Sequence, residues 1–164
     1  MCRALVFVVA LVLLSCSGTS DQVDTQNFAA VALDNASCAS CGMVVREQPS
    51  PRGQAIHRDG TRVFFCSLAD MIHYTAAPSP HGKVKHLYVE ESDHQKDPLQ
   101  HQFERLPWID AKQSWFVVGV PRQGIMGKPL MSYRDEVVAK AVATQFSGAM
   151  GDFKFASREI GVGY

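Results

Sequence analysis

The stretch "GQAIHRDGTRVFFCSLADMIHYTAA", residues 53–77, changes its hydrophobic period halfway along. Up to Phe65 it carries two runs with β-branched and aromatic residues around Asp59-Gly60, the pair a type I′ hairpin turn favours. It therefore predicts two paired strands. After Cys66 the spacing turns helical: Leu68, Met71, Ile72 and Thr75 fall on one face, and Pro78 stops the run. "KVKHLYVEE", residues 83–91, follows as a strand in which His86, Tyr88 and Glu90 alternate against Leu87 and Val89. The first half thus reads strand, strand, helix, strand.

The same order recurs further on. "QSWFVVGV" (113–120) is a buried strand closed by Gly119 and Pro121, and "KPLMSY" (128–133) is a shorter one. "RDEVVAKAVATQF" (134–146) is helical, with Val138, Ala141, Val142 and Phe146 on one face, acids in the first turn and Gly148 beyond the end. "GDFKFA" (151–156) reads as a final short strand, alternating Phe153 and Phe155. The residues of the two halves hardly match, but the order does. The reading is an α+β fold of two ββαβ units in tandem, residues 28–91 and 92–164. The alternative is a single mixed α+β sheet that uses its elements in that order.

Ahead of the folded body, Met-Cys-Arg precedes a nearly unbroken apolar run from Ala4 to Leu14. A short positive start and an apolar run of this length read as a secretory signal, too short to span a bilayer as a mature helix. "LLSC" at 13–16 resembles a bacterial lipobox, which makes residues 1–15 a signal peptide and Cys16 the lipidated first residue. The alternative is an ordinary signal peptide with a chance cysteine. The small, polar segment after it completes a flexible tether over residues 16–27.

The chain is 46% apolar, enough for a folded core, and its 16 basic and 16 acidic side chains balance. No basic stripe interleaves with aromatics, so a nucleic-acid footprint is absent. No phosphate loop, nucleophile elbow or evident carboxylate pair is present, and the chain does not read as an enzyme.

Of the five cysteines, Cys2 leaves with the signal and Cys16 takes the lipid, leaving Cys38, Cys41 and Cys66. An odd number of thiols in an oxidising compartment is not a disulfide framework, and a bound metal would protect them. Attention falls on "CASCGMVV", residues 38–45. A thioredoxin-like pair sits at a helix N-terminus, but Gly-Met-Val-Val after Cys41 favours a turn or strand. That weakens a lipid-anchored thiol–disulfide protein using Cys38 and Cys41, which stays as the rival reading. A structural zinc site wants four ligands in two close pairs; here His57 or His73 would have to join one pair and Cys66. Thiolate with thioether is the soft set that selects Cu(I). Cys41 and Met43, two apart, would point the same way from an extended strand, and Gly42 allows a tight bend.

Met126, in "PRQGIMGKPL", is a further thioether candidate, since a methionine in such a loop is poor core filler; an idle surface residue is the alternative. Met71 reads as core. Cys66 reads first as a buried small hydrophobe at a helix start, the commoner fate of a free cysteine, and second as a ligand. His81, His86, His94 and His101 lie in or near a polar stretch without ligand spacing.

Taken together, the lipobox at Cys16, "CASCGM", "DGTRVFFCSLADMIHY", "WIDAKQSWFVVG" (108–119) and Met126-Gly127 resemble the NosL family, the nitrous oxide reductase accessory lipoproteins. The resemblance covers nearly the whole mature chain. It implies a pair of ββαβ units and a Cu(I) chaperone anchored on the periplasmic side of a membrane. Its implied partners are nitrous oxide reductase, whose copper centres it would serve, and a maturation transporter complex. Carried over by position, Cys41 and Met43 match the family's CGM core and Met126 its later Met-Gly. Cys38 precedes the core as a further sulfur. The segment from Pro78 to Pro107 is long and histidine-rich, a departure from the family pattern that alters a partner surface or adds a ligand.

Overall fold

The computed structural model describes residues 28–123 and 125–163. The signal peptide (1–15), the tether (16–27) and Cys16 lie outside the described residues. Among the described residues no helix is long and apolar enough to cross a membrane.

Strands β1 (Gly53–His57) and β2 (Arg62–Phe65) form the expected hairpin, with Ala55 opposite Val63. The turn is not type I′, which needs positive φ at both central residues. Gly60 alone is left-handed (φ 85°) and Asp59 is not. The Gly60 N–H donates to the His57 carbonyl and the His57 N–H to the Thr61 carbonyl, closing a three-residue loop. The Asp59 carboxylate accepts from the Thr61 N–H at 2.9 Å, so a side-chain turn does what a second positive φ would otherwise do.

Helix α1 (Leu68–Ala76) starts at Ser67, whose hydroxyl accepts from the Asp70 N–H. Leu68, Met71 and Ile72 are buried as their spacing predicts. Strand β3 (Val84–Glu90) pairs with β1, and β4 (Trp108–Asp110) with β3, giving an antiparallel sheet in the order β2-β1-β3-β4. Leu87 and Val89 are buried as expected. Glu90 departs from the expected alternation, for it is 1% exposed and bridged to Arg52.

In the second half, β5 (Trp115–Val118), β6 (Met131–Tyr133) and β7 (Ala149–Gly151) make an antiparallel sheet in the order β6-β5-β7. Helix α2 (Glu136–Gln145) is capped by Asp135. Its buried face is Ala139, Val142 and Ala143, with Val138 and Phe146 partly buried. Ala141, expected on that face, is exposed. "GDFKFA" is corrected from strand to helix: Asp152 caps α3 (Phe153–Ile160) by accepting from the Phe155 N–H at 2.8 Å. Phe153, Ala156 and Ile160 then meet the core at helical spacing, a pattern that six residues do not distinguish from alternation.

Among the described residues the architecture is α+β, two antiparallel sheets and three helices, with each half following the ββαβ order, β4 added to the edge of the first sheet and α3 added at the end. One core joins the halves: Ala55, Phe65, Met71 and Leu87 pack with Phe116, Val118, Leu130 and Phe153. Strand β5 is buried on both faces. Phe116 and Val118 enter that core, while Val117 turns to the cluster under α2.

Candidate metal centre

The "CASCGM" segment closes on itself. The Cys38 N–H donates to the Met43 carbonyl and the Gly42 N–H to the Cys38 carbonyl, each at 2.8 Å. Ser37 and Val44 bridge across the base of the loop. Gly42 holds φ 77°, a conformation costly to any residue with a β-carbon. The loop docks on the free edge of β2, where Cys38 pairs with Phe64 and the Ala39 N–H donates to the Phe64 carbonyl at 2.8 Å. The segment between Cys41 and Met43 is therefore a turn through Gly42, not the extended strand the two-residue spacing suggested.

That docking brings the loop to the end of β2, where Cys66 stands just before the Ser67 cap of α1. The Cys66 Sγ lies 3.5 Å from the Sγ of Cys38 and 3.5 Å from that of Cys41. All three sulfurs fall within 4.8 Å of one another, and all three cysteines are free. With metal–thiolate bonds of about 2.3 Å, sulfurs around one ion stand roughly 3.8–4.0 Å apart, so small shifts let this triangle close on a single ion. The cysteine whose first reading was hydrophobic filler is indeed buried, at 5% exposure, yet its thiol completes the cluster. Nothing in local spacing connects Cys66 to a motif 25 residues upstream; only the β2 edge does.

The electrostatics of the three differ. Burial works to raise the Cys38 thiol, but the N–H groups of Cys66, Cys41 and Ser40 point at its sulfur, and the balance lies below the ordinary thiol value. Burial pushes the Cys66 thiol up, and the neighbouring Cys38 and Cys41 sulfurs push the same way. The first turn of α1, the positive end of its dipole, adjoins the cluster.

Met43 and Met126 are exposed, at 38% and 41%. Met43 ends the docked loop. Met126 belongs to the second half, but its neighbour Gly127 (φ 73°) rests on the start of α1. A β-carbon at Gly127 would stand 3.1 Å from the Ala69 Cβ and 4.0 Å from the Ser67 Oγ. The fold thus carries the Met126 loop to the helix end that presents Cys66. Among the described residues no histidine joins the thiols. Both ring nitrogens of His57 are used, Nδ1 with the Gly82 carbonyl and Nε2 with the Tyr74 hydroxyl, each at 2.8 Å. His101 Nε2 meets the Gln123 carbonyl. The zinc arrangement with His57 therefore does not form.

Fold and site together define a small α+β protein with a cluster of three free thiols, two of them buried and Cys41 partly so, of the kind that suits a soft metal ion. The NosL family profile matches residues 30–160, and the chain belongs to that family. It is 32% identical over 129 residues to the copper-binding lipoprotein NosL of Stutzerimonas stutzeri, covering 74% of this chain and 62% of that relative. Its fold is similar to the crystal structure of the copper chaperone NosL from Shewanella denitrificans, with a TM-score of 0.63 and 28% identity over 76% of this chain and 92% of the other.

Proposed function

We propose that this chain binds Cu(I) as cargo through Cys38, Cys41 and Cys66, with Met43 and Met126 as exposed thioethers that ease its release. The single observation that carries the reading is the sulfur triangle, two of whose sides are 3.5 Å, in a member of a family with copper-binding relatives. Thiolates give the hold, and neutral thioethers at the surface offer a weaker second set through which a partner exchanges ligands. Cys16 anchors the chain to a membrane and keeps it on the periplasmic side. The copper is delivered through a maturation transporter complex toward the copper centres of nitrous oxide reductase. No bond in a substrate is made or broken, so the protein is a carrier and not an enzyme.

The rival thiol–disulfide reading needs an accessible thiol of lowered pKa. The lowered one, Cys38, is 3% exposed and bridges to Phe64 at the edge of β2, not at the head of a helix. The deciding experiment is an anaerobic Cu(I) titration against a chelating competitor. Cys41→Ser and Cys66→Ser each weaken binding at least about tenfold, or 1.4 kcal/mol. Met43→Leu and Met126→Leu leave affinity closer to wild type but slow transfer to metal-free nitrous oxide reductase. Unchanged affinity in both cysteine variants rules out the thiol site; disulfide reduction that ignores the methionine changes favours the rival.

A further inference from the structure

At the opposite end of α1 from the thiols lies a second feature. A cleft of about 790 Å³ opens where the C-terminal end of α1, strand β3 and the first turn of α3 meet. The nine residues of α1 separate it from Cys66 by roughly 13 Å, at about 1.5 Å per residue. Its volume lies within the range of small-molecule sites, which form preferentially where two structural units meet. This one is built from both halves of the chain.

The lining has two parts. The floor is apolar, with Val84, Leu87 and Phe153. The rim carries Lys83, Lys85, Lys112 and Lys154 against one acid, Asp152. Asp152 is already engaged, accepting from the Phe155 N–H. Lys85 lies over the Phe28 ring at 4.0 Å. Lys83, Lys112 and Lys154 make no ion pair with any described residue, whereas Lys96 and Lys128 each hold a glutamate. In a chain whose charges balance at 16 and 16, four lysines around one apolar-floored cleft are a local excess of one sign. Clefts with low-dielectric walls focus such a field. Hydrogen bonds from His57 Nδ1 to the Gly82 carbonyl and between His57 Nε2 and the Tyr74 hydroxyl brace the wall, so the shape does not depend on the lysines.

We infer that this cleft binds an amphiphilic anion, with a phosphate or carboxylate head among Lys83, Lys112 and Lys154 and a short apolar body on Leu87 and Phe153. The chemistry is shared by soluble esters and by the headgroup region of an anionic lipid. The site is independent of the thiol cluster and stands whether or not copper binds there.

The test is amide-resolved NMR titration of the full chain with hexyl phosphate, with inorganic phosphate and hexanol as controls. Saturable shifts confined to residues 74–85, 112 and 152–154 with hexyl phosphate are expected, with affinity at least tenfold above either control. The Lys83→Gln, Lys112→Gln, Lys154→Gln triple variant, all at exposed positions, should lose at least tenfold in affinity while keeping its fold. Displacement of hexyl phosphate by phosphatidylglycerol vesicles but not by phosphatidylcholine vesicles assigns the head to a membrane lipid; no displacement by either assigns a soluble ester. Shifts that never saturate, binding of inorganic phosphate as tight as hexyl phosphate, or unchanged affinity in the triple variant overturns the inference.

Discussion

Cys66 is chemically unlike its two partners. Its thiol is raised by burial and by the adjacent sulfurs, while Cys38 is lowered by the amides around it. In the metal-free protein at neutral pH, Cys66 therefore keeps its proton, and an ion bound by all three sulfurs must expel it. Apparent Cu(I) affinity then climbs about tenfold per pH unit for that proton, as linkage requires. Competition titrations at pH 6, 7 and 8, corrected for the competitor's own protonation, read the slope, and a flat profile removes Cys66 from the ligand set. Gly42 tests the loop itself. A β-carbon there meets nothing within 4 Å, so only its φ of 77° resists substitution. Gly42→Ala should cost about 1–2 kcal/mol in urea unfolding, and Gly42→Asn less, because asparagine tolerates the left-handed region.

Among the elements, the second sheet depends on one close backbone crossing. A β-carbon on Gly148 would stand 2.1 Å from the Val118 carbonyl oxygen, and one on Gly119 2.8 Å from the Gly148 α-carbon. Gly148→Ala should push β7 from β5 and destabilise by roughly 1–3 kcal/mol or more, the usual cost of overpacking. Urea unfolding measures it, and a change under 0.5 kcal/mol would mean the crossing relaxes freely. Helix α1 was legible because Leu68, Met71 and Ile72 share a face and Pro78 ends the run. Helix α3 was not, because Phe153 and Phe155 satisfy alternation as well as they satisfy a helix, and the cap at Asp152 decides between them. On α2 the buried face lies one residue from the predicted one, since the sheet beneath selects Ala139 and Ala143 over Ala141.

Across the molecule, one buried ion pair ties the metal loop to the sheet. Arg52 donates to Glu90 through Nε at 2.6 Å and Nη2 at 2.8 Å, and both residues are 1% exposed. Its remaining donors reach the carbonyls of Arg46 and Gln48, just after the "CASCGM" loop, and of Glu104. Glu90→Gln leaves the guanidinium buried without its counter-charge and should cost about 3–5 kcal/mol. Chemical denaturation reads that loss. The Arg52→Met, Glu90→Leu double variant should recover much of it, since replacing a buried pair by apolar groups is often near neutral.

Read from sequence alone, the legible features were local: the β1–β2 hairpin, strands β3, β5 and β6, helices α1 and α2, and a cluster of sulfur residues around "CASCGM". Those features rest on neighbours a few residues apart, where backbone geometry sets the pattern. Only the tertiary structure decided that Cys66 faces Cys38 and Cys41, that Gly127 rests on α1, and that Glu90 is buried against Arg52. Each of those depends on a strand edge or a packed interface joining segments 25 or more residues apart, and periodicity carries no record of which distant surfaces meet.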